Sequence, residues 1–308
     1  MLSKELTFNL QNSIIMKRNF FQLFAVAAIA ITISLIACQK DQQTPDPIEE
    51  KEALASRTVG ESEAEAEIIY DGIFDDAMGV NEEVAMGGTG IFGRLTACPT
   101  VTVTRNNPPA PFPVRVVLDF GAGCVGRDGK FRKGKIIHVY TNRLLMPGAV
   151  VETSFDNYYQ DSTKIEGAYR IKNTTETPLR PRYQTNVING KLIRPNGNFT
   201  LWNGEKVRTQ IEGALTPAAP TDDVFSTTGA ARGQVRRDTA TIFWNSTIVE
   251  PLIKKMNCQW IVKGTVRTVR ENATNGERWQ GVINYGNGDC DNRAVVVING
   301  VTYSITLP

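Results

Sequence analysis

Hydrophobic and polar residues follow three rhythms along this chain. Beyond Gly93 the rhythm is period two, the mark of half-buried strands. Segments such as "TVTVTR", "VRVVLDF", "GKIIHVYTN", "EKVRTQIEG", "TATIFWNSTIV" and "RAVVVING" are rich in β-branched and aromatic residues, with Asn, Asp, Gly and Pro clusters between them. No helical stretch separates these segments, which excludes a parallel βαβ plan and predicts antiparallel pairing. About a dozen such segments predict an all-β domain over 94–308, either an antiparallel β-sandwich or a large curved sheet. The last two strands meet at Asn299-Gly300, where both residues accept the positive φ of a type I′ hairpin turn.

The second rhythm is helical. In "ESEAEAEIIYDGIFDDAMGVNEEVA" the apolar residues Ile68, Ile69, Ile73, Phe74, Met78 and Val84 recur at helical spacing among carboxylates. This predicts a short acidic amphipathic helix and linker over 61–93, packed on the β domain. Before it, 38–60 comprises Cys38 and, from Gln42 to about Gly60, a stretch marked by Gln, Pro, Glu and Ser without an apolar period, which reads as a disordered tether.

The third rhythm is a continuous apolar run, Phe20 to Ala37, preceded by Lys17 and Arg18. It is nearly long enough to span a bilayer, but small residues near its end point to cleavage. Leu35-Ile36-Ala37-Cys38 resembles the lipobox of bacterial lipoproteins. The resemblance implies that 1–37 is a signal peptide, with Met16 its true start, and that Cys38 carries the acyl chains, palmitate among them. Two chains anchor a protein stably in a lipid bilayer. Gln39-Lys40-Asp41 resembles the surface-export signal of Bacteroidetes-type lipoproteins, though that signal usually holds more acidic residues than Asp41 alone, so the expected address is the outer membrane, at its cell surface or its periplasmic face.

Charge refines this picture. The formal net charge is +2, yet Asp41 to Glu83 carries −12 and the first 40 residues +3, which leaves +11 for 84–308. A basic body suits anionic glycans. Its densest cluster is "GRDGKFRKGK", where Arg127, Lys130, Arg132, Lys133 and Lys135 surround Phe131 as a candidate ligand-binding turn. In a lipoprotein an anionic envelope glycan or an envelope protein is the expected partner, and nucleic acid is not.

Five cysteines are present. Setting Cys38 aside leaves Cys98, Cys124, Cys258 and Cys290, an even set that favours two disulfides outside the cytoplasm. Three pairings exist. An internal echo selects among them: "DFGAGC" at 119–124 resembles "NYGNGDC" at 284–290, and a second cysteine lies upstream of each. The favoured pairs are Cys98–Cys124 and Cys258–Cys290, and the echo divides the domain into related halves, 94–176 and 184–308.

Several stretches look like chemistry and read better as structure. "DFGAGCVG" matches a kinase metal triplet and a dinucleotide fingerprint together, but a turn and strand follow it instead of the required helix. His138 is the only histidine, which removes HExxH zinc sites, and it reads as a solvent-facing strand residue. Glu152 and Asp156 share a strand face, as a carboxylate-dependent glycan hydrolase would need. "NYGNGDCDN" is dense in oxygen ligands but lacks EF-hand spacing, so no metal is assigned. Trp202, Trp244, Trp260 and Trp279 fill a core, unless two share an exposed face to stack on sugar.

Long stretches, among them "DGKFRKGKIIHVYTN", "PGAVVETSFDNYYQDSTKIEGAYRIKN" and "CDNRAVVVINGVTYSITLP", are similar to a family of uncharacterised Bacteroidetes-type lipoproteins. That resemblance covers nearly all of 94–308 and implies the same address and a β-rich fold, with no catalytic residue and no cofactor. The expectation is an outer-membrane-anchored lipoprotein whose non-catalytic β domain binds or organises envelope or extracellular material. The alternatives are the hydrolase and a subunit of a surface complex.

Overall fold

The computed structural model describes residues 47–79, 98–126, 128–216, 219–271 and 279–308. It opens on helix α1, Pro47–Met78. Glu, Ala and Lys, all strong helix formers, dominate its first half. Gly79 follows the last turn and donates its N–H to the Asp75 carbonyl at 3.0 Å, continuing the helical ladder. The helix therefore begins well before Glu61, and the 47–60 part of the expected tether is helical. Composition misled there: the Pro and Gln content lies before Pro47, while Glu49 to Ala55 favours helix.

Among the described residues fourteen strands follow, in one antiparallel sheet. They are β1 (Thr100–Arg105), β2 (Val114–Asp119), β3 (Cys124–Val125), β4 (Phe131–Tyr140), β5 (Val150–Gln160), β6 (Thr163–Asn173) and β7 (Arg182–Ile193). Then come β8 (Phe199–Glu212), β9 (Val224–Arg237), β10 (Ala240–Lys255), β11 (Ile261–Arg270), β12 (Gly281–Asn287), β13 (Arg293–Ile298) and β14 (Val301–Thr306). Spatial order follows chain order from β1 to β14, with β3 set aside as a short partner of β4. The fold is all-β as expected, as one large sheet; β1 and β14 are its edges. At the last hairpin Ile298 faces Val301, and Asn299 and Gly300 have φ of 49° and 78°, as a type I′ turn requires.

From Glu50 onward the helix and the strands form one compact unit. The sheet curls around α1. Tyr140 of β4 donates to the Ala77 carbonyl at 2.7 Å, and Ser56 donates to the Trp279 carbonyl at 2.7 Å near the start of β12. At Gly60 the helix comes so close to β13 that an added Cβ would lie 2.8 Å from Val296 Cγ2. Ile68, Ile69, Ile73, Phe74 and Met78, the residues that predicted the helix, are all buried; Val84 lies outside the described residues. Two apolar clusters result. One surrounds Tyr70 and Phe74 and includes Tyr169, Tyr183, Trp202 and Phe225; the other joins Ala64 and Ile68 to β11–β14.

Candidate functional site

The helix buries its acidic side as well. Glu63, Glu67, Asp71 and Asp75 recur every four residues, so they form one stripe along α1, and all four are buried. The sheet meets them with donors. On β8 the inward positions are Thr200, Trp202, Gly204, Lys206, Arg208 and Gln210, while Phe199, Leu201, Val207 and Ile211 face outward. Its binary pattern is inverted, with cations inside.

Each carboxylate has its own partners. Glu63 accepts from Trp202 Nε1 at 2.9 Å, Trp244 Nε1 at 2.8 Å and Ser246 Oγ at 2.7 Å. Glu67 pairs with Lys206. Asp71 takes Arg208 and, at 2.8 Å, Lys254 of β10, which also reaches Asp75. Burial alone would force such groups to neutralise. The pairing decides the outcome: burial raises Asp71, but the Lys254 and Arg208 charges outweigh it and hold the carboxyl down at about 2. Burial wins at Asp75, pushed up to about 6, and at Lys206, pushed down to about 7. This ladder is sealed from solvent and fastens helix to sheet.

The residues singled out from sequence are dispersed. Cys38 and Arg127 lie outside the described residues. In the basic turn, Arg132 is buried and bidentate to Asp128 at 2.8 and 2.6 Å. Lys135 pairs with Asp119 at 2.9 Å, and Lys133 Nζ sits 4.0 Å from the Tyr159 ring centroid. Burial lowers the Lys130 ammonium, with Asp128 opposing. Phe131 is 39% exposed, and its ring occupies the place of a Gly123 Cβ, only 2.1 Å away. The glycine fingerprint is thus a turn in which Gly123, at φ 138°, yields to an aromatic ring.

His138 departs from expectation. It does share a face with Tyr140, but that face is the inner one, and His138 is fully buried. Its Nδ1 is 2.8 Å from Thr153 Oγ1, and burial lowers its pKa to about 3, so the ring is neutral. Glu152 and Asp156 are both exposed on β5, and Glu152 is held by Arg170 at 2.8 Å. In the oxygen-rich turn, Asn284 accepts from the Gly286 N–H and Asp291 from the Arg293 N–H, so both side chains shape the turn. Among the described residues no group of His, Cys, Asp and Glu is placed to hold a metal ion. Trp202, Trp244 and Trp279 are buried, and Trp260 donates to the Pro308 carbonyl at 3.1 Å, which leaves no pair of tryptophans exposed on one face. Two disulfides close, Cys98–Cys124 with Cα atoms 6.2 Å apart and Cys258–Cys290 at 5.8 Å, the pairing favoured by the echo.

Among the described residues, two of the surface recesses have charged walls. One, 650 Å³ in volume, lies on the outer face across β6–β10, walled by Arg170, Asn186, Asn203, Glu205, Arg232 and Asn245 over small residues at Gly204 and Ala230. Planar amide, guanidinium and carboxylate groups around a small-residue floor suit a polyhydroxylated ligand. The other, 480 Å³, lies where α1 is left partly uncovered beside edge strand β14. Sequence reading missed both, because each is assembled from single residues on several strands.

No helix among the described residues is long and apolar enough to cross a membrane. Comparison with known protein families, curated proteins and solved structures finds no match to this chain.

Proposed function

We propose that this chain is an outer-membrane-anchored lipoprotein of the Bacteroidetes type, whose β domain binds or organises envelope or extracellular material without catalysing a reaction. The observation that carries the reading is the leader: Lys17 and Arg18, the apolar run to Ala37, and Leu35-Ile36-Ala37-Cys38. Two acyl chains on Cys38, at about 0.8 kcal/mol per buried methylene, would fix the chain to the bilayer. Anionic glycan is the ligand class that suits the basic body. The recess beside Arg232 supports it as well as the basic turn does. Arg132 and Lys135 of the turn are engaged within the chain, as is Arg170 of the recess with Glu152, while Arg232 has no ion pair there among the described residues. Glu152 and Asp156 do not line that recess, and Glu152 meets it only through its ion pair with Arg170.

Labelling with an alkynyl palmitate analogue tests the anchor, and protease shaving of intact cells tests its orientation. Wild type should take the label and Cys38→Ala should not, with the variant moving to the soluble fraction. Cleavage of the β domain while a periplasmic control survives would support surface display. Labelling that persists in Cys38→Ala would overturn the reading.

A further inference from the structure

The smaller recess joins two kinds of unmet bonding capacity. Its floor is the half-open stripe of α1, Arg57, Glu61 and Glu65, and the tips of the β7–β8 and β9–β10 hairpins contribute Arg194 and Arg237. Three guanidinium groups therefore meet two carboxylates. Glu61 is shared, with Arg57 at 2.9 Å and Arg237 at a longer 3.4 Å, while Arg194 pairs with Glu65. Arg194 Nη1 is buried with no hydrogen-bond partner. A buried donor left unpaired is costly and uncommon, and here it sits beside Arg237, whose 3.4 Å contact to Glu61 is the longest ion pair in the recess.

The remaining wall is β14. The Leu307 N–H goes to the Asn292 carbonyl at 2.8 Å, so odd-numbered residues of this strand face β13. By alternation Ser304 and Thr306, which line the recess, turn their N–H and C=O groups to the open side.

We propose that this recess binds an extended acidic peptide segment of another protein. Its main chain adds to the free edge at Ser304 and Thr306, and a carboxylate side chain meets Arg194 and Arg237. Strand addition supplies main-chain affinity and the arginines supply selectivity. A free phosphate would use the guanidinium groups and leave the strand edge unpaired. A second copy pairing through its own β14 would bring "VTYSIT", which has no carboxylate. This inference does not depend on the lipid anchor.

The test is fluorescence anisotropy with the purified chain and two labelled hexapeptides, acetyl-Thr-Glu-Val-Glu-Val-Thr-amide and the same sequence with Lys for Glu. The acidic peptide should bind at least about tenfold more tightly than the basic one, and amide exchange should slow at Ser304 and Thr306. Ser304→Pro removes an outward N–H and no ladder bond, a change edge strands tolerate, and Arg237→Gln removes one guanidinium. Each should weaken the acidic peptide at least about tenfold, with thermal midpoints near wild type as the check on folding. Should Ser304→Pro fail to fold, N-methylation of the peptide backbone breaks the same pairing from the other side and should cause the same loss. Equal affinity for the two peptides, or no saturable binding at millimolar peptide, overturns the proposal. So does displacement by inorganic phosphate with Ser304→Pro silent, or a dimer that Ser304→Pro dissolves.

Discussion

At Asp71 one carboxylate satisfies two buried cations, and the sign of a mutation depends on what it leaves behind. Asp71→Asn deprives Arg208 of its carboxylate and leaves Lys254 with Asp75 alone. It should cost about 3–5 kcal/mol, read as a lower urea midpoint at neutral pH. Replacing both members of the neighbouring pair, Glu67→Leu with Lys206→Met, strands nothing and should be neutral or stabilising in the same titration. Asp76 sets a pH dependence. Burial raises its carboxyl from 3.8 to about 7; Arg132 pulls it back, Asp128 and Asp75 push it further, and Lys130 opposes them weakly. Between those values the folded state holds a proton that the unfolded chain has released, so this group makes the protein less stable as pH rises through the window. Urea midpoints should therefore fall less between about pH 5 and about pH 7.5 in Asp76→Asn than in wild type. The spacing of Glu63, Glu67, Asp71 and Asp75 is visible in the sequence. Their burial is not, because an acidic helix face normally stays wet, and the partners lie 139 residues on at Lys206 and 183 at Lys254.

Among the elements, α1 and β8 show where pattern reading works and where it inverts. The existence of the helix was legible from its apolar stripe, but its second buried face was not. On β8, alternation gives the right period and the wrong face: a reader places Phe199, Leu201, Val207 and Ile211 inside, and the fold places Lys206 and Arg208 there. The reason is α1, whose carboxylates reverse the usual preference of the interior. The two glycines of the helix test how tightly it is held. Gly72 has open space where a Cβ would go, so Gly72→Ala should stabilise by about 0.5–1 kcal/mol through helix propensity. Gly60→Ala has the same propensity gain but drives a methyl into Val296, so its thermal midpoint should fall. Adding Val296→Ala should restore part of that loss.

At the scale of the whole molecule, the antiparallel plan, the last hairpin and both disulfides were legible from turn chemistry, alternation and the echo around Cys124 and Cys290. The choice between two sheets and one was not, since the pattern of a strand does not say whether its buried face meets a sheet or a helix. Here the helix is the filling, and without it Lys206, Arg208 and Lys254 would face one another across an empty interior. A chain lacking 47–78 should show no fixed near-ultraviolet circular dichroism. A peptide of residues 47–78 added in trans should restore it, and Glu67→Lys in that peptide should abolish the rescue. Native-like spectra from the sheet alone would show that the ladder is dispensable.

The position of α1 in the chain also bears on how the protein is made. The helix leaves the ribosome first, yet Glu63 must wait for Trp244, 181 residues later, and Asp71 for Lys254, 183 residues later. Contacts of such sequence separation close slowly. The first partners of the acidic stripe, Trp202, Lys206 and Arg208, arrive with β8, and Trp244, Ser246 and Lys254 complete it only when β10 has emerged. The sheet therefore closes around its helix late in synthesis, once β8 and β10 are both present to meet the carboxylates.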